Sequence, residues 1–209
     1  MMIKRILIGL LTVVLFASCS LNARITKADK KFALGEYYRA AEMYRSIYPN
    51  VPTKKRVLKA DVAYKMGNAY RIVENNKRAE TAFKNAVKYG CKDSLLTYYY
   101  AEVLRRNGKY KEAIKMYYQY EQMRPGNELA KNGIESCEKA IADWEKITAY
   151  EIIKDPTFNS KYSEFCPAFA SADGDVLYFN STRVARGAKK TKTSRITGQR
   201  NNDIYSSKT

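Results

Sequence analysis

The thiols are the residues of this chain with the most potential for covalent chemistry. There are four cysteines, Cys19, Cys91, Cys137 and Cys166, and no histidine in 209 residues. Without an imidazole there is no Ser–His–Asp or Cys–His nucleophile pair and no His-ligated zinc. No two cysteines form a CxxC pair, which removes a four-cysteine zinc site and a thioredoxin-like redox motif. A nucleophile elbow, a phosphate-binding P-loop and a Gly-rich dinucleotide fingerprint are also missing. The sequence therefore predicts no catalytic residue, no metal site and no cofactor. It offers binding chemistry instead, with 18 tyrosines and 38 lysines plus arginines against 21 acids, a formal charge of +17. Hydrophobic residues make up 45% of the chain, enough for one or two small domains with real cores.

Cys19 stands in a specific context. Lys4 and Arg5 form a short basic segment, and Ile6 to Ala17 is an apolar run broken only by Gly9 and Thr12. That run fits a signal-peptide core and is too short to span a bilayer as a helix. Phe16-Ala17-Ser18-Cys19 resembles a bacterial lipobox. The resemblance implies a signal peptide over 1–18, cleavage before Cys19 and a diacylglyceryl anchor on its thiol. Acyl chains contribute about 0.8 kcal/mol per buried methylene, so several on one cysteine hold a protein on a membrane. An ordinary secretory signal with an incidental cysteine is the alternative. Ser20 follows where an inner-membrane retention signal has Asp, and no acidic cluster comes after it. By resemblance to other lipoproteins, the expected location is the periplasmic face of the outer membrane. Nucleic acid is then not expected as a partner, despite the charge. Cys91, Cys137 and Cys166 would remain, an odd number for an oxidising compartment. A Cys91–Cys137 bridge needs matching geometry, and buried free thiols are the expectation.

The middle of the chain repeats. Gly35-x-Tyr37-x-x-Ala40-x-x-x-Tyr44 is matched position for position by Gly108-x-Tyr110-x-x-Ala113-x-x-x-Tyr117. Between them lies Asn76-x-x-Ala79-x-x-x-Phe83-x-x-Ala86, with Gly67 and Tyr70 upstream. Ala79 to Ala113 is a step of 34 residues and Ala40 to Ala79 a step of 39, the excess fitting the Pro49–Pro52 loop. Small residues let two antiparallel helices approach, and the aromatic four positions on fills the space beside them. Gly35 and Gly108 supply the turns, Pro125 a stop, and Glu128 to Ile147, with Trp144, a closing helix. Tyr37, Tyr44, Tyr110, Tyr117 and Tyr120 are read as core residues whose hydroxyls reach the surface.

This pattern resembles the tetratricopeptide repeat. The resemblance implies a mainly α fold, an α-solenoid over 19–147 whose first helices line a concave groove. Counting along the repeat puts Tyr64, Asn68 and Arg71 in that groove, then Tyr98, Glu102 and Arg105, then Lys139. Tyr and Arg dominate binding hot spots, which favours a protein partner, although the same residues also suit a solvated helix face. Asn68 resembles one position of the carboxylate clamp of chaperone-binding repeats, but the other clamp residues are not clearly present.

Past Ile147 the period changes. Tyr150 to Ile153 is β-rich, and Asp155-Pro156 marks a boundary. Asn159 to Phe169, ending in Glu164-Phe165-Cys166-Pro167-Ala168-Phe169, leads into an Ala172-Asp173-Gly174-Asp175 turn; Val176 to Arg183 reads as the return strand and Asn202-Asp203-Ile204-Tyr205 as another. The order resembles one blade of a TolB-like β-propeller, as found after tetratricopeptide repeats in Bacteroidetes outer-membrane lipoproteins of the OmpA family. A propeller needs about four to eight blades, so 148–209 is expected to be the start of a truncated, incomplete propeller. The family's peptidoglycan-binding domain is not expected among these residues, so no wall contact is assigned to any of them. The cations from Arg183 to Arg200 suit either an anionic surface or a solvated loop.

Together these readings predict a non-catalytic, lipid-anchored periplasmic scaffold. It would bind envelope proteins through its groove and the outer membrane through Cys19. The resemblance places it in an envelope tether of type IX secretion or gliding machinery. Two alternatives are the N-terminal part of a propeller-containing peptidase, and a glycan-uptake lipoprotein, for which Trp144 is the only tryptophan.

Overall fold

A computed structural model describes residues 21–144, 153–170, 172–184 and 193–208. The signal segment, Cys19, residues 145–147 of the expected closing helix, Tyr150 to Ile152 of the β-rich stretch, and Arg186, Lys189, Lys190 and Lys192 lie outside the described residues. The described residues form two compact units that divide between Lys146 and Ile147.

The first unit is a run of antiparallel helices. They are α1 (described over 21–33), α2 (Tyr37–Ile47), α3 (Arg56–Ile72), α4 (Asn76–Lys88), α5 (Ser94–Arg106), α6 (Tyr110–Met123) and α7 (Glu128–Trp144). Each second helix buries one stripe: Ala40, Ala41, Tyr44 and Ile47 on α2, then Ala79, Ala82, Phe83 and Ala86 on α4, then Ala113, Tyr117 and Tyr120 on α6. These spacings keep to one helix face, so burying the stripe against the first helices selects helix over strand. The close approach is literal at Gly67, where an added Cβ would meet the Phe83 ring at 2.5 Å.

The turns within the three pairs share one geometry. Gly35 and Gly108 both have φ +74°, the left-handed region that glycine enters freely. At the equivalent place in the middle pair stands Glu74, with φ 59°. No sequence signal marks it. The extra residues between the first and second pairs form a short 3-10 turn, Tyr48–Asn50, followed by the buried Val51. Asp93 caps α5 by accepting from the Leu95 backbone N–H at 2.9 Å.

The second unit contains β1 (Glu164–Phe169), β2 (Val176–Ser181) and β3 (Asp203–Lys208), an antiparallel sheet in the order β1-β2-β3. Gly174 takes φ +75° in the β1–β2 turn, as the Asp-Gly pair predicts. A bulge interrupts β1 between Phe165 and Ala168, and Cys166 sits in it with φ 53°. Three strands are described here, whereas a propeller blade has four. Ile153, read as β-rich, lies in no strand.

Two expectations about side chains are corrected. The three thiols are free, but only Cys137 is buried; Cys91 is half-buried and Cys166 is exposed, as are the β1 residues on either side of it. Arg183 is not part of a solvated loop. Its guanidinium donates to Glu164 at 3.0 Å and to the Phe158 carbonyl at 2.7 Å, and lies over the Phe179 and Tyr205 rings. Glu164 also accepts from Ser160 and Ser181, and these hydrogen bonds hold its carboxyl down to about 2.

Candidate functional site: a polar ladder on the first helices

Three residues occupy one repeat position on successive first helices: Asp29 on α1, Asn68 on α3 and Glu102 on α5. Each stands 15 residues before the aromatic of its own pair, Tyr44, Phe83 or Tyr117. The Tyr44 hydroxyl donates to Asp29 Oδ1 at 2.5 Å, and the Tyr117 hydroxyl donates to Glu102 Oε1. In the middle pair the aromatic has no hydroxyl, and its partner is an uncharged amide. Both tyrosines are at most 1% exposed, so their hydroxyls end on carboxylates and not in solvent, contrary to the sequence expectation. A hydroxyl removed from water has to find an acceptor, and a carboxylate is the strongest available.

The six residues expected in the groove from α3 and α5 are tied to this ladder. Arg71 donates to Asn68 Oδ1 through Nη2 at 2.8 Å and Nε at 3.2 Å. Its guanidinium lies 4.0 Å from the Tyr99 ring centre, bridging α3 to α5. Arg105 donates to Glu102 at 2.9 Å. The Tyr98 ring packs against Tyr99, Tyr117 and Tyr120, with centroids 5.3 to 6.2 Å apart. Tyr64 stands 6.2 Å from the Phe83 ring and shares a cleft of about 170 Å³ with Asp29, Tyr44, Lys65 and Asn68. Lys139 is exposed on α7, and no contact joins it to the others.

The electrostatics follow from the ladder. Burial alone would raise the Glu102 carboxyl, but hydrogen bonds from Arg105 and Tyr117 hold it below the ordinary carboxylate range. Its charge in turn pushes Arg105 up. Burial, then the hydrogen bond to Glu102, raises the Tyr117 phenol, and burial, then Glu102, raises that of Tyr98. Lys65 reaches Asp29 at 3.2 Å and Asp61 at 3.1 Å, so its own charge is paired within the solenoid. Arg71 differs, because its partners are an amide and a ring, and among the described residues no carboxylate lies within ion-pair distance.

Sequence reasoning missed Tyr99, Lys65 and Asp29. Asp29 was legible, since it shares the 39- and 34-residue steps with Asn68 and Glu102. Tyr99 carries no such signal, being one of three consecutive tyrosines. No cluster of three or more metal-ligating side chains occurs among the described residues.

Comparison with known proteins identifies the repeat. Residues 64–128 match the family model of the tetratricopeptide repeat, less than half of the chain. Among solved structures, the chain is similar to the first tetratricopeptide domain of Spaghetti (RPAP3) bound to the HSP90 peptide SRMEEVD. The identity is 20% over 58% of this chain and 93% of that one, with a TM-score of 0.50. It is also similar to the first such domain of human RPAP3, at 21% identity over 60% of this chain and 94% of that one, TM-score 0.49. A third is the Sgt2 domain of Aspergillus fumigatus, at 16% identity over 68% and 91%, TM-score 0.48. No curated protein matches the chain. At such identities the likeness establishes the fold alone: the first unit is a solenoid of tetratricopeptide type.

Proposed function

We propose that this chain is a non-catalytic scaffold, held on the periplasmic face of the outer membrane by acylated Cys19, whose first-helix face binds a segment of a protein partner. The observation that carries the reading is the pre-set α3–α5 surface. Arg71, Tyr98, Tyr99 and Arg105 are fixed by hydrogen bonds and ring contacts before any partner arrives. Aromatic and arginine side chains already held in place lose little freedom on binding, which is how stacked helices make recognition surfaces. Spaghetti (RPAP3), a likeness at the level of fold, holds the peptide SRMEEVD. An extended segment across α3 and α5, with Lys139 farther along, is the occupant we assign here.

The finer reading rests on the sequence resemblance. The lipobox supports acylation at Cys19, and the meander over 148–209 supports the beginning of a TolB-like propeller. Together they favour a PorE-like envelope tether of the type IX secretion and gliding machinery. Peptidoglycan contact would belong to a domain that these residues do not include.

A photo-crosslinkable amino acid at Tyr98 or Lys139 in cells tests the groove. Adducts to one or a few envelope proteins, lost with Arg71→Ala plus Arg105→Ala, are the expected result. Crosslinks that ignore those substitutions would place the binding surface elsewhere. Incorporation of labelled palmitate, abolished by Cys19→Ala, tests the anchor separately.

A further inference from the structure

The antiparallel pairs give the solenoid two rims. One gathers the N-termini of α1, α3, α5 and α7 with the C-termini of α2, α4 and α6. Arg24 of α1 reaches the Ser46 carbonyl near the end of α2, Arg56 of α3 the Lys88 carbonyl at the end of α4, and Arg124 after α6 the Ser94 hydroxyl of α5. The other rim holds the tight turns at Gly35, Glu74 and Gly108.

The rims differ in how their charges are satisfied. At the turn rim Lys31 pairs with Glu36 at 3.0 Å, Lys109 with Glu80 at 2.6 Å and Arg106 with Glu74 at 3.5 Å, while Lys77 and Lys111 have no carboxylate within ion-pair distance among the described residues. At the opposite rim Lys54, Arg56, Lys88, Lys92 and Arg124 have no carboxylate within ion-pair distance among the described residues. Of the acids at this same rim, Asp93 accepts from the Leu95 N–H and Glu128 pairs with Lys131, while Glu121, in the last turn of α6, has no cation within ion-pair distance among the described residues. Lys88 and Arg124 lie at helix C-termini, where positive charge is favourable. Lys54 and Arg56 lie at the N-terminus of α3, where it is not, and no acid stands in that helix's first turn.

The same rim carries exposed apolar side chains. Val57 is 84% exposed, and Val87, Leu95, Met123 and Leu129 are also exposed, each in the first or last turn of its helix. At the turn rim Leu34 is the large apolar residue left exposed among the described residues. Cations interleaved with short apolar side chains fit one kind of partner, a membrane interface with anionic headgroups.

We propose that this rim rests on an anionic lipid surface, with Lys54, Arg56, Lys88, Lys92 and Arg124 at headgroup phosphates and the apolar side chains at the acyl boundary. The proposal rests on the membrane-anchored reading, and it fits that anchor: α1 opens at this rim, and its first described residue, Leu21, follows Cys19 by two positions. The rim would then hold the solenoid upright on its tether and leave the first-helix face open to a partner.

The test uses the chain from residue 19 onward with Cys19→Ser, made without acylation; this retains every residue of the described core. Flotation with vesicles of equal parts phosphatidylglycerol and phosphatidylethanolamine is compared with pure phosphatidylcholine. Binding to the anionic vesicles that weakens with salt is expected. The set Lys54→Glu, Arg56→Glu, Lys88→Glu and Lys92→Glu should lower it about tenfold or more. Val57→Ser plus Leu129→Ser should lower it with charge unchanged, while Lys77→Glu plus Lys111→Glu at the turn rim should not. Far-ultraviolet circular dichroism verifies that each variant is folded. Equal binding by the rim-reversed and parent chains, or no preference for anionic vesicles, overturns the proposal. Absence of palmitate labelling at Cys19 with vesicle binding intact would remove the anchor and leave the rim.

Discussion

Glu102 accepts hydrogen bonds from both Tyr117 and Arg105, and that one carboxylate joins two helices of a pair to the candidate binding face. Its folded pKa is depressed. The stability it contributes is therefore fully present above the unfolded value near 4.5 and is lost as pH falls through the lower folded value. Glu102→Gln keeps the shape and removes the charge. We expect the parent chain to be more stable by about 1–2 kcal/mol at pH 7, with the gap closing in urea unfolding as pH drops below that range. A gap that stays constant with pH would mean that the charge of Glu102 contributes nothing. Tyrosine content alone does not reveal this coupling. The sequence contains both partners at a fixed separation, but only the packed pair turns the Tyr44 and Tyr117 hydroxyls inward onto acids.

At the scale of elements, the helices and their turns were readable because packing allows few alternatives. Ala40, Ala79 and Ala113 must be small for two helices to meet, and Gly35 and Gly108 must enter the left-handed region. Glu74 was not readable, because a glutamate there obeys no local preference and is held at φ 59° by the pair it closes. A side chain in that region costs about 1 kcal/mol or more. Glu74→Gly should therefore stabilise the fold by about 0.5–1 kcal/mol once the greater freedom of glycine in the unfolded chain is counted, read as a higher urea midpoint. A lower midpoint would show that the Glu74–Arg106 contact, 3.5 Å in length, outweighs the backbone strain. In the second unit the turn at Gly174 and all three strands were legible. The bulge at Cys166 and the inward-bound Arg183 were not, since both depend on register between strands.

For the whole molecule, the division between Lys146 and Ile147 leaves the core from Leu21 to Cys137 inside the first unit. Solenoid stability is close to a sum of repeats and their neighbour interfaces. A fragment from residue 19 to Lys146 should accordingly unfold cooperatively on its own, with a melting temperature within a few degrees of the helical transition in the longer chain. A broad, non-cooperative melt of that fragment would instead make the second unit part of the solenoid's stability. The absence of histidine has a meaning at this scale too: no side chain has an unperturbed pKa between about 5 and 8, so no imidazole switches charge over that range.

The pairing of hydroxyl with acid also limits how such a chain can be recombined. Tyr44 with Asp29 and Tyr117 with Glu102 each lie within a single helical pair, on opposite sides of its tight turn. A crossover in the connections after Asn50 or near Lys92 would exchange whole pairs and carry donor and acceptor together. A crossover at Gly35, Glu74 or Gly108 would join a tyrosine helix to an asparagine helix, or leave an acid facing phenylalanine. Shuffled descendants of this solenoid should thus be viable when joined between pairs and rarely when joined within one.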